Sequence, residues 1–313
     1  MAAAGKTLRN PSFLGLDAGK MIAAVLVVVT HSRILTTVPT PVARVIGVFI
    51  SLAVPFFFIV SGFLCFHLSR GSHDAELWRT RKGASTGLWL YVAWTVAYFP
   101  ASITSFVVEH AGFNVVTFIR YVHKVIFVGE WQLWFLLSMA IGYAVIYGLL
   151  RIDKSKYAIF AVGLACYAVS CVIETLQSMS ADELPHALEK VIGIYNKVFA
   201  SPRVLLQGVA YITVGMMLAL WYERLHKMLQ RRKVQLVFVL ASSAFVLTFF
   251  SYHAFISSNA LVASGIGGVL RFLLAFVVAC MSVLWVGEDG KGLFRHIRSV
   301  SAVTYTVFIY LMG

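Results

Sequence analysis

The sequence predicts an all-α fold, a polytopic bundle of transmembrane helices. Three observations predict it. Of 313 residues, 60% are hydrophobic and only 12% are charged. Mean hydropathy is +0.84. The apolar residues gather in runs of roughly 20, the length that crosses ~30 Å of hydrocarbon. This composition excludes a soluble globular domain, whose helices keep a polar face, and it excludes disorder, which needs low hydrophobicity and high charge. The four cysteines, Cys65, Cys166, Cys171 and Cys280, lie inside apolar runs without C-x-x-C spacing or a neighbouring His. They read as small core residues, and no metal is demanded.

The first run, 15 to 36, follows Lys6 and Arg9 in the outline of a secretory leader, but no A-x-A site comes after it, so it is read as an uncleaved first span. Further spans are expected at 45 to 66, 84 to 106, 131 to 150, 157 to 177, 203 to 222, 234 to 255 and 265 to 286. A ninth begins near 300, and its 300 to 313 stretch is too short to cross a bilayer, so the single domain expected over 1 to 313 is expected to be incomplete at its C-terminal end. Between Glu109 and Glu130, Phe113, Val116 and Phe118 are mixed with Arg120, His123 and Lys124, the pattern of an interfacial or re-entrant helix.

Placing the N-terminus in the cytoplasm puts 18 of the 26 Lys and Arg on that side, with 7 on the other and Arg271 inside a span. Acidic residues divide 7 to 6, so the bias belongs to the cations, as the positive-inside rule requires. Topology thus explains the basic run Arg224, Lys227, Arg231, Arg232 and Lys233, and no nucleic-acid partner is implied. The lipid bilayer is the partner that composition implies.

The informative residues are the polar ones that hydropathy would not place in spans. Lys20 and His31 are eleven residues apart in the first span, which returns them to within ~20° of one helix face and ~16 Å apart along it. Asp17, three residues before Lys20, is positioned to pair with it. Lys20 is equally explained by snorkelling; for His31 a functional role is favoured over the alternative of a hydrogen bond to a neighbouring helix. The run Trp78-Arg79-Thr80-Arg81-Lys82 is expected to open the third span, where unpaired cations oppose the helix dipole and a bound phosphate would relieve the conflict; positive-inside decoration also accounts for it. In the second span, Pro55 frees a carbonyl and Ser61-Gly62 admits a neighbouring helix, a packing role. Trp131 and Trp134 suit an aromatic belt at the mouth of the fourth span. Arg271, about six residues into the eighth, needs a partner, a snorkelling path or a polar cavity.

In succession, Leu16-Asp17-x-x-Lys20-x-x-Ala23, His31, Val54-Pro55-Phe56-Phe57-Phe58-Ile59-Val60-Ser61-Gly62-Phe63-Leu64, Arg79-x-Arg81 and Leu133-Trp134-Phe135-Leu136 resemble the acyltransferase 3 family of integral-membrane O-acyltransferases, with a weaker echo in Ser301-x-x-x-Tyr305. The resemblance implies a bundle of about ten spans that moves an acyl group, expected to be acetyl, from cytoplasmic acyl-CoA to a hydroxyl of a cell-surface glycan or glycolipid in the bacterial inner membrane. Acyl-CoA would be a co-substrate, with no bound cofactor. His31 matches the family's essential histidine, and Arg79 and Arg81 match its basic motif. Lys20 stands where the family usually has Arg, keeping the charge but losing the bidentate fork. Gln132 stands where His is frequent, and Leu311-Met312-Gly313 ends the chain without the family's final His.

The chemistry fits these residues. Lys20, Arg79 and Arg81 would attract the donor phosphates, and a neutral imidazole at His31 would either remove a hydroxyl proton or carry the acyl group. Asp17, Ser61, Trp131, Trp134 and Arg271 would support the pocket. The rival readings are a transporter or flippase, which would show internal repeats that this sequence lacks, and a membrane-anchoring or sensing domain of a larger protein.

Overall fold

A computed structural model of the chain describes residues 13–31, 40–109, 114–127, 133–179, 185–198, 203–229 and 260–284, together with positions 234, 241 and 242. Among the described residues there are helices and no strands. In chain order the helices are α1 (Leu14–His31), α2 (Thr40–His67), α3 (His73–Glu109), α4 (Val115–Phe127), α5 (Trp134–Arg151), α6 (Lys156–Ser178), α7 (His186–Val198), α8 (Gly208–Leu229) and α9 (Ala260–Leu284). A single π-helical turn, Arg203–Gln207, leads into α8.

Among the described residues, five helices are long and apolar enough to cross a membrane, over Ile46–His67, Trp134–Arg151, Lys156–Ser178, Leu205–Met228 and Gly267–Leu284. They coincide with the second, fourth, fifth, sixth and eighth expected spans. The expected span at 234 to 255 falls almost wholly outside the described residues, and the ninth, from about 300, wholly outside them. The helix α4 has 13 residues, a length of about 20 Å, too short to cross. Its start is fixed by Asn114, whose side-chain oxygen accepts from the Val116 N–H at 2.9 Å. The helix α7 was not expected. Pro185 precedes it, its carbonyl accepting from Leu188 and Glu189, and Leu188, Ile192 and Tyr195 recur at helical spacing.

The core is organised around α8, with α2, α5 and α6 packed on it. Glycine permits these approaches. A Cβ on Gly62 would collide with the Ile212 carbonyl, and one on Gly215 with the Ile59 carbonyl, so the backbones of α2 and α8 touch directly. The helix α1 lies against α2 and α9, and α9 closes on α2 and α6. On the outside, α3 leans on α5, its Gly83 against the Tyr143 ring and Gly87 against Ala140. The other side of α3 shows Trp89 and Val96, 72% and 68% exposed, surface that suits lipid and not water.

Three contacts fix which helix ends share a side. Phe13, His67 and Tyr222 meet ring to ring, with centroids 4.9 to 5.8 Å apart. His73 lies 3.7 Å from Asp153, and Lys156 pairs with Glu76. The starts of α1, α3 and α6 and the ends of α2, α5 and α8 therefore share one end, called here the basic end. The end of α6 and the start of α8 lie at the opposite, far end.

Candidate functional site

At the basic end, α1 begins with the Asp17–Lys20 pair, oxygen to nitrogen 3.8 Å, one turn apart and partly exposed. The spacing of three residues produces it, since such side chains are neighbours on a helix surface. Lys20 therefore sits beside a carboxylate in its own helix.

The basic run lies differently from the sequence expectation. Residues 79 to 82 do not open a helix. The helix α3 starts at His73, so the cations lie well inside it, and the first turn carries Asp74 and Glu76, the charges its dipole favours. The conflict expected between cations and dipole is absent, and with it the reason to invoke phosphate as its relief. What remains is a cationic surface. Thr80 is fully buried, its hydroxyl donating to the Glu76 carbonyl at 2.7 Å. Arg79 and Arg81 flank it: Arg79 is half-buried and Arg81 is exposed. Trp78 gathers the charges, with Lys82 Nζ 4.8 Å and the Arg79 guanidinium carbon 5.9 Å from its ring centroid.

Next to this surface is a cavity of about 420 Å³ lined by His67, Arg70, Glu76, Lys156 and Glu223 among others. None of these was singled out in the sequence, where they are ordinary loop charges. The His67 ring is held by Phe63, stacked at 5.0 Å, and by the edges of Phe13 and Tyr222.

The remaining expected residues are spread through the bundle. The Ser61 hydroxyl shares a hydrogen bond with the Tyr143 hydroxyl at 2.7 Å, tying α2 to α5. Trp134 opens α5 and packs half-buried against the core. Trp131 lies outside the described residues, as does Gln132.

His31 is the last residue of α1. Its depth follows from helix register. Gly19 packs against Ser282 of α9, and α1 and α9 run in opposite directions. Twelve residues on from Gly19 is His31, and twelve back from Ser282 is Leu270, about 18 Å along both axes. Arg271 therefore stands level with His31 on the adjacent helix. Arg271 is partly exposed, and no carboxylate lies within ion-pairing distance of it among the described residues. Beside it in sequence, Phe272 packs on the rings of Tyr167 and Tyr211, whose hydroxyls are 3.5 Å apart.

No curated protein and no solved structure matches the chain. A family model described as an acyltransferase domain matches residues 13–312. That match covers nearly the whole chain, including every helix described above, and so the chain belongs to the acyltransferase 3 family, as a membrane-helical acyltransferase.

Proposed function

We propose that the protein is an O-acyltransferase of the bacterial cytoplasmic membrane, which takes an acyl group, acetyl in the simplest case, from acyl-CoA at the basic end and places it on a hydroxyl of a cell-surface glycan or glycolipid. Carrying this reading is the layout of one unbroken helix. The helix α1 has Lys20 near its start, at the basic end, and His31 at its other end. About 16 Å separates them along the axis.

In this reading Lys20, Arg79 and Arg81 draw the donor phosphates to the cytoplasmic side, where the excess of cations belongs. The thioester passes inward. His31, as a neutral imidazole, takes the proton of the acceptor hydroxyl, and the oxygen attacks the thioester carbonyl. The new C–O bond forms as the C–S bond breaks, and the imidazolium returns the proton to the departing CoA thiolate. Atoms and charge balance without a metal or a redox step.

Mass spectrometry of surface glycans from cells with and without the gene tests this reading. A mass difference of one acyl unit per modified sugar is expected, and identical glycan masses would reject it.

A further inference from the structure

The cavity of about 420 Å³ at the basic end carries charges that the donor chemistry does not use. It lies between the turn that joins α2 to α3, the start of α6 and the last turns of α8. His67 ends one candidate span, Lys156 begins another, and Leu220 and Glu223 stand near the end of a third, so the cavity sits where the spans leave the hydrocarbon. Leu220 of its lining is exposed, and so are Trp221 and Tyr157, the sequence neighbours of Leu220 and Lys156. Such side chains suit the boundary between lipid tails and headgroups.

The charged groups of the lining are of two kinds. Glu76 and Lys156 neutralise each other in a direct ion pair. Arg70 and Glu223 are exposed, and neither forms an ion pair with a described residue, including each other. A cation and an anion thus border one cavity without meeting, and the two carboxylates balance the two cations. Arg70 is also held against its backbone preference, at φ +50°, in the left-handed region that Gly or Asn occupies with less strain. The turn alone therefore does not account for an arginine there.

Separated opposite charges are complementary to a ligand that carries both. A guanidinium binds phosphate through paired N–H donors, and a primary ammonium donates to a carboxylate. A quaternary ammonium has no N–H to donate and is held instead by aromatic faces, of which the lining has only Phe66 and His67. A purely anionic headgroup would meet Glu223 as a like charge. We propose that the cavity binds the headgroup of a zwitterionic phospholipid with a primary ammonium, as in phosphatidylethanolamine, its phosphate on Arg70, its ammonium on Glu223 and its acyl chains leaving past Leu220 along the outside of α8. Polyanionic coenzyme A suits this lining less well than the cations of α3, which lie outside it. The proposal does not rest on the acyltransferase reading.

The delipidated full chain in detergent is titrated with phosphatidylethanolamine, phosphatidylcholine or phosphatidylglycerol of identical acyl chains, and bound lipid is counted by native mass spectrometry. Phosphatidylethanolamine is expected to bind about tenfold more tightly than either of the others, the scale of one charge-assisted contact. Arg70→Asn, which deletes the guanidinium while relaxing the turn, is expected to weaken that binding about tenfold, and Glu223→Gln to reverse the preference in favour of phosphatidylglycerol. Equal binding of the three lipids, or a preference that both variants leave unchanged, would overturn the proposal. Soluble glycerophosphoethanolamine binding as tightly as the lipid would overturn it too, by removing the membrane as the source, and displacement of the lipid by excess coenzyme A would do so by assigning the cavity to the donor.

Discussion

The Lys156 ammonium lies 2.5 Å from the Glu76 carboxylate, joining the first turn of α6 to the first turn of α3 across 80 residues of sequence. Glu76 is only 2% exposed, so this carboxylate depends on its partner.

Removing the lysine should therefore cost more than removing the pair. Lys156→Met is expected to destabilise the protein by about 3 kcal/mol, because it strands a buried charge. Adding Glu76→Gln should recover most of that loss. Denaturant unfolding of the two single variants and the double variant measures the coupling. Additive losses would mean that the two side chains do not depend on each other.

The crossing of α2 and α8 depends on absent side chains. A Cβ at Gly215 would meet the Ile59 carbonyl, which belongs to a helix backbone and cannot swing aside. Gly47, in the same α2, has nothing within 4 Å of where its Cβ would stand. Gly215→Ala should therefore lower stability by roughly 1 to 3 kcal/mol through forced separation of the helices. Gly47→Ala should be neutral or slightly stabilising, since glycine inside a helix is itself unfavourable. Thermal unfolding in the same detergent compares them, and equal midpoints would remove the close crossing from the account.

The cations of α3 should act on the donor alone. Arg79→Ala combined with Arg81→Ala is expected to raise the KM for acyl-CoA by about tenfold or more, the scale of losing charge-assisted phosphate contacts, with the acceptor KM unchanged. Steady-state kinetics with each substrate varied in turn separates the two. A donor KM equal to the wild-type value would place the nucleotide at another surface of the basic end.

What was legible in the sequence was what depends on neighbours along the chain. The Asp17–Lys20 pair follows from i, i+3 spacing, and the apolar length of a span fixes α2, α5, α6, α8 and α9 in place. Contacts across the fold were not legible. Nothing along the chain singles out Lys156 and Glu76, or Glu174 and Gln207, because each pair meets only when α3, α6 and the π turn are brought together. The start of α3 was misplaced for a local reason: the charges from His73 to Lys82 hide its helical period, although Asp74 and Glu76 are suitable first-turn residues. For α7 the signal was present, in Pro185 followed by Leu188, Ile192 and Tyr195, but a 13-residue amphipathic helix falls below the length at which hydropathy registers a span.

The central claim is that His31 carries out the transfer. Its most direct test is radiolabelled acyl transfer from acetyl-CoA by membranes containing wild-type or His31→Ala protein at equal abundance. The account predicts that transfer falls to background in the variant while membrane insertion is unchanged. Transfer by His31→Ala at near wild-type rate would contradict it.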